Sequence, residues 1–188
     1  MRRAADALTN AGYEVVNACP PRYEDAITCW LKFANSDFAA VLARLLPLLG
    51  RDAATFFSAI NSMTTPLDAT GMSMMFMERD GIARAWSQFL TEYPLLLTPT
   101  WTQLPFEHSF DIATTAGSAA TMEMARPVLP ANLLGLPSAC VPAGRDQATG
   151  LPIGVLLTGR RFREDICLDA AETIETRLGL DTPIDPVS

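Results

Sequence analysis

The sequence predicts one α/β domain over residues 1–188, built as a mixed β-sheet with helices flanking it. Three observations carry this reading. Leu95-Leu96-Leu97-Thr98 is a short apolar run set between Pro94 and Pro99, the mark of a strand buried on both faces. Ser138–Pro142 and Ile153–Thr158 are two further strand-like runs separated by a polar turn, which makes an antiparallel hairpin the simplest pairing. Helical periodicity dominates both ends of the chain and ends at a glycine each time, Gly12 and Gly179.

Taken in order, Ala4, Ala5, Leu8 and Ala11 line one face of a first helix, and Tyr13–Val16 follows as a short expected strand. Residues 22–49 read as a pair of helices. Ile27, Trp30, Leu31 and Ala34 form one stripe; Phe38, Val41, Leu42, Leu45, Leu46 and Leu49 form another, disrupted at Pro47 and Gly50. Residues 61–70 read as loop. The methionine-rich stretch Met72–Met77 is expected to precede a helix that turns Ile82, Ala83, Trp86, Phe89 and Leu90 inward. Residues 100–126 show no clear period and are expected to be an ordered loop region. Pro127–Leu134 reads as a short helix. In the last helix Glu164 and Asp165 suit the positive end of the dipole, and Ile166, Cys167, Ala170, Ala171, Ile174 and Leu178 form the buried face.

Composition narrows the functions available. The chain has 188 residues, 49% of them hydrophobic, and a formal net charge of −7. That size supports a real core, and the negative charge argues against nucleic-acid binding, which needs a basic face. The one dense basic cluster, Arg160, Arg161 and Arg163, runs at once into Glu164 and Asp165. No apolar run approaches the roughly 20 residues of a membrane span, and the N-terminus does not resemble a secretory signal. Cys19, Cys29, Cys140 and Cys167 lack Cys-x-x-Cys spacing, and there is a single histidine, so neither a zinc site nor a disulfide framework is expected. A cytoplasmic location follows as the expectation.

Catalytic candidates are few. A triad would have to use His108, in Leu104-Pro105-Phe106-Glu107-His108-Ser109-Phe110, with no nucleophile elbow near it. A Ser-Lys centre would have to use Lys32, the only lysine, whose expected role is a solvated end on an apolar stem. Ala116-Gly117-Ser118-Ala119-Ala120 has the look of a serine loop but no base beside it in sequence. Phosphate-binding glycine motifs are missing, and no cofactor or metal is expected. The chain therefore reads as holding no complete catalytic centre.

Between Pro127 and Asp169 the residues become specific. Pro130-Ala131-Asn132-Leu133-Leu134-Gly135-Leu136-Pro137 runs into Ser138-Ala139-Cys140-Val141-Pro142-Ala143-Gly144; Thr149-Gly150-Leu151-Pro152-Ile153-Gly154-Val155 and Gly159-Arg160-Arg161-Phe162-Arg163-Glu164-Asp165 follow. This region resembles the C-terminal part of the amidase signature family. Leu95–Thr100 resembles the family's buried strand and the loop after it, and Ala4–Pro20 resembles the helix and strand that precede them. The resemblance is strongest over the last 60 residues and weakest between 22 and 92.

The resemblance implies hydrolysis of a carbon–nitrogen bond by a Ser-Ser-Lys arrangement, whose members lie in the family's N-terminal half and have no counterpart in this sequence. Leu156 stands where the family commonly has glutamine. The expected contribution of this chain is sheet and substrate-pocket wall, with Thr98, Pro99, Thr100, Trp101, Phe106 and Asn132 as candidate substrate-binding residues. Asn132 is also placed to bond neighbouring backbone. The implied partner is a small-molecule amide, acted on once an N-terminal catalytic half completes the site. Without that half the chain is expected to be inactive and to self-associate, as a homo-oligomer, because a cut sheet leaves an unpaired edge and an uncovered face. A non-catalytic binding or scaffold module that retains the fold is the alternative.

Overall fold

The computed structural model describes residues 1–63 and 65–180. The single-domain expectation also takes in 64 and 181–188, which lie outside the described residues. The elements are α1 (Arg2–Asn10), α2 (Tyr23–Leu45), α3 (Arg51–Ser62), α4 (Ala69–Glu92), β1 (Leu95–Pro99), α5 (Phe110–Ala113), α6 (Thr115–Met124), α7 (Leu129–Leu134), β2 (Ser138–Arg145), β3 (Pro152–Gly159) and α8 (Glu164–Leu178). The strands form an open sheet in the order β1-β3-β2. The expected hairpin is present, Val141 opposite Val155 and Cys140 opposite Leu156, with an irregularity between Pro142 and Gly144. β1 joins the other side of β3, placing Leu97 opposite Leu157 and Thr98 opposite Leu156. Of the mixed sheet expected, the described strands supply antiparallel pairings.

Strand alternation divides the sheet into two unlike faces. Leu95, Leu97, Ala139, Val141, Ala143, Val155 and Leu157 pack in one core with Ala4 and Leu8 of α1 and Ala170, Ala171 and Ile174 of α8. The opposite face carries Leu96, Thr98, Ser138, Cys140, Gly154, Leu156 and Thr158. A second core lies beyond it: Ala26 and Cys29 of α2, Ile82, Trp86 and Leu90 of α4, and Leu133 and Leu134 of α7, with Leu96 and Leu136 packed against them.

Several elements differ from their sequence expectations, each for a physical reason. Tyr13–Val16 is not a strand; its backbone finds no ladder, and Tyr13 is instead held by its hydroxyl, which donates to Asp169 on α8 at 2.5 Å. Residues 23–45 are one continuous helix rather than two. The polar stretch between the two stripes is absorbed because the Ser36 hydroxyl bonds back to the Lys32 carbonyl at 2.8 Å while accepting from Leu67 N–H at 3.0 Å. Met72–Met77 lies within α4, which starts earlier than expected because Asp68 caps it, accepting from Gly71 N–H at 2.7 Å.

The region 100–126 contains two helices, α5 and α6. α6 shows no apolar stripe because it packs by close approach: a Cβ on Gly117 would stand 2.2 Å from the Phe110 carbonyl oxygen. Elsewhere the glycine stops operate as expected. Gly135 ends α7 in the left-handed region at φ 62°, and Gly179 ends α8 at φ 53°.

Candidate functional site

Of the catalytic candidates, one is committed to packing and two are exposed. Ser118 is buried, and its hydroxyl donates to the Asp111 carbonyl at 2.7 Å, tying α6 to α5. That accounts for the Gly117-Ser118 pair as a packing device. His108 sits exposed in a turn before α5, and Lys32 is exposed on α2. The basic cluster is also structural. Arg161 donates twice to the Leu134 carbonyl, at 3.1 and 2.7 Å, and Arg163 forks onto Asp165 at 2.8 Å. Burial pushes the Cys29 and Cys167 thiols above their ordinary range, so both read as inert core residues. Among the described residues, no group of three or more His, Cys, Asp and Glu side chains could hold a metal ion, and no helix is long and apolar enough to cross a membrane.

What remains is a surface built on the second face of the sheet. Three rows cross it: Leu96–Thr158–Ser138, then Thr98–Leu156–Cys140, then Thr100 beside Gly154 and Pro142. Ser138 and Thr158 share a hydroxyl–hydroxyl bond of 2.9 Å, and Thr100 Oγ1 lies 3.0 Å from Cys140 Sγ. The Thr98 hydroxyl oxygen is buried without a hydrogen-bond partner among the described residues. At the Ser138 end a cavity of about 500 Å³ opens between α2, α7 and the sheet, lined among others by Trp30, Asn132, Leu136, Ser138 and Leu156.

α7 is fixed firmly beside this cavity. Its last carbonyls are orphan acceptors at the negative end of a helix, and two cations meet them: Arg79 Nε donates to Leu133 O at 2.8 Å, and Arg161 serves Leu134 O. Two further sets of ion pairs tie α2 to its neighbours. Arg22 bridges Asp25 and Glu78, linking α2 to α4, while Arg126 bridges Glu24 and Glu123, linking α2 to the end of α6.

The six sequence candidates fall in three places. Asn132 lines the cavity, and its Oδ1 accepts from Trp30 Nε1 at 2.6 Å; the backbone bond expected of it is replaced by this tertiary one. Thr98, Pro99 and Thr100 lie on β1 and its end, one strand away from the Leu156 lining. Trp101 and Phe106 stand apart from the cavity in an aromatic chain, with ring centroids 6.2 Å apart and Phe106 a further 5.4 Å from Phe110. Trp101 keeps 38% of its surface exposed. Trp30, Leu136, Ser138 and Leu156 were not among the sequence candidates.

Comparison with known proteins identifies the family. The chain belongs to the amidase family, whose match extends over residues 1–168. It is 31% identical over 182 residues to an indoleacetamide hydrolase of Bradyrhizobium diazoefficiens, covering 96% of this chain and 34% of that protein. It is 32% identical over 183 residues to an indoleacetamide hydrolase of Bradyrhizobium japonicum, covering 96% of this chain and 39% of that one. Among solved structures, 6-aminohexanoate cyclic dimer hydrolase complexed with substrate superposes with a TM-score of 0.78 at 22% identity, over 95% of this chain and 40% of that one. The chain thus spans roughly a third to two fifths of the length of these relatives.

Proposed function

We propose that this chain supplies sheet and pocket wall to an amide-hydrolysing enzyme of the amidase family, and that it does not cleave amides alone. The observation that carries the reading is the 31% identity, spread over 96% of the chain, to an enzyme whose name is that of an amide hydrolase. Two features of the molecule support the second half of it: the only lysine is exposed on a helix, and the one serine set in a Gly/Ser-type stretch spends its hydroxyl on backbone. Thr98, Pro99, Thr100, Trp101, Phe106 and Asn132 remain the proposed wall, now with Leu156 between β1 and the cavity. The partner is a small-molecule amide once an N-terminal catalytic half completes the site, and the location cytoplasmic, a reading supported by four free cysteines.

Both outer strands of the sheet, β1 and β2, have one unpaired edge among the described residues, and α4 exposes Phe76 and Met77. These features support self-association of the isolated chain. Light scattering tests it: concentration-dependent growth in mass is expected, and a monomer at high concentration contradicts it. The test of function is complementation. The purified chain, mixed with the remaining two thirds of the indoleacetamide hydrolase, is expected to release ammonia from indole-3-acetamide when neither piece does so alone. An inert mixture of two folded pieces contradicts the reading. A tight small ligand bound by the chain in an inert mixture favours the scaffold alternative.

A further inference from the structure

On the closed side of the sheet, away from Asn132 and Leu156, a cleft of about 490 Å³ lies between α1 and the last turn of α8. Its size falls within the range of small-molecule sites, about 300–1,000 Å³. Tyr13, just past α1, bonds Asp169 in the first half of α8, so the two helices run in opposite senses and the start of α1 meets the end of α8. Arg3, Asp6, Ala7 and Asn10, at helical spacing along α1, make one wall; Arg177 and Leu178 make the other. Three of these side chains are charged, and they do not neutralise one another. Among the described residues, Arg3, Asp6 and Arg177 have no side-chain hydrogen bond or ion pair. Arg22, Arg126 and Arg163, by contrast, each meet a carboxylate. Arg3 also stands in the first turn of α1, where the helix dipole is positive and no acidic residue answers it. Its guanidinium lies over backbone: a Cβ on Gly144 of β2 would meet Arg3 Nη1 at 3.3 Å.

We propose that this cleft binds a free acidic α-amino acid, with one carboxylate on Arg3, the other on Arg177 and the ammonium on Asp6. The charges match one for one. The lining carries two cations and one carboxylate, and the ligand carries two carboxylates and one ammonium. Each guanidinium offers a fork of N–H donors that fits a carboxylate. Asn10 adds an amide with both donors and an acceptor, suited to either end of the ligand. A dicarboxylate without the amine leaves Asp6 facing anions alone, and an amino acid with a single carboxylate leaves one guanidinium unmatched. The bound molecule ties α1 to α8, so it adds to the stability of the folded chain. The proposal does not depend on the amide-pocket reading, which concerns the other face of the sheet.

The test is titration of the full chain in low-salt buffer, because exposed charges are screened by salt. The Nε–H signals of Arg3 and Arg177 in ¹⁵N NMR report binding, each assigned by its own variant, Arg3→Gln or Arg177→Gln. L-Aspartate is expected to move both signals saturably and to raise the thermal unfolding midpoint. Succinate, which lacks the ammonium, and L-asparagine, which lacks the second carboxylate, are each expected to bind at least about threefold more weakly, the size of one exposed charge pair. Asp6→Asn is expected to bring L-aspartate to the level of succinate. Arg3→Gln and Arg177→Gln are each expected to weaken L-aspartate by at least about threefold. All three positions are exposed, and the backbone amide spectrum of each variant checks that it folds. The ligand series on the unmodified chain decides the question even if a variant does not. No saturable shift with L-aspartate, or succinate, L-asparagine or sodium sulfate binding as tightly as L-aspartate, would overturn the proposal. So would a folded Asp6→Asn chain that still prefers L-aspartate to succinate.

Discussion

The two faces of the sheet share a backbone and differ in nearly everything else. On one face Val155 and Leu157 of β3 are fully buried under α1 and α8, in a core built almost wholly of aliphatic side chains. On the other, one residue along the same strand in each case, Gly154, Leu156 and Thr158 look onto hydroxyls, a thiol and a cavity. The first face is closed by two helices; the second is divided between the second core at Leu96 and the open cavity at Leu156. Period-two alternation makes this division possible within eight residues, since each step along β3 changes face.

The largest expected difference between the faces is in truncation. Leu157→Ala opens a cavity under α8 and is expected to cost about 2–5 kcal/mol, whereas Cys140→Ala, at an exposed position on the other face, is expected to stay within about 0.5 kcal/mol of the unmodified chain. Urea unfolding midpoints measure both, and equal losses would erase the distinction. Next come two glycines of the same strand. A Cβ on Gly159 meets Cys167 Sγ at 2.8 Å and the Arg163 carbonyl at 3.3 Å, both in packed surroundings, so Gly159→Ala is expected to cost about 1–3 kcal/mol. A Cβ on Gly154 meets Thr100 Oγ1 at 3.0 Å and Cys140 Sγ at 3.4 Å, side chains with room to turn aside, so Gly154→Ala is expected to cost under about 1 kcal/mol. The same unfolding measurement ranks them.

Thiol chemistry sharpens the contrast without altering the sequence. Cys167 is buried on the closed side, its thiol pushed up by desolvation, while Cys140 is exposed. Under native conditions a maleimide is expected to label Cys140 and Cys19 and to spare Cys167 and Cys29 until the chain unfolds, as peptide mapping would show. Early labelling of Cys167 would mean that α8 opens readily. The smallest effect concerns the edge of the closed face. The hydrogen bond to Asp169 holds the Tyr13 hydroxyl above its ordinary range, with burial adding to it. A group raised in the folded state adds stability that is complete below its unfolded value and is lost as pH rises through the folded one. Stability is therefore expected to fall slightly above about pH 10, the ordinary tyrosine range, and Tyr13→Phe is expected to remove that part of the fall in alkaline melting curves.

The closed face is also the face that was legible in sequence. The β2–β3 hairpin, the buried strand at Leu95 and the inward side of α8 all announce themselves by periodicity, because one buried side forces a regular apolar pattern. Where packing works by other means, the pattern is silent. α6 is held by Gly117 and Ser118 against α5 and carries no stripe, and Tyr13–Val16 has strand-forming residues with no neighbour to pair. The candidate site was legible only at Asn132, which belongs to a specific run of residues. Leu136 and Ser138 follow Asn132 in the same run, whereas Trp30 and Leu156 come to the cavity from separate parts of the chain. Trp30 read as one more member of a helical stripe, and its bond to Asn132 spans 102 positions of sequence, a separation that local spacing does not record.

The central claim, that this chain walls an amide pocket without being able to cleave an amide, is tested most directly by ammonia release from indole-3-acetamide by the purified chain alone. The account predicts release no faster than in buffer. Release above buffer that disappears in Lys32→Ala, Ser118→Ala or His108→Ala would contradict it and would place a complete catalytic centre within these 188 residues.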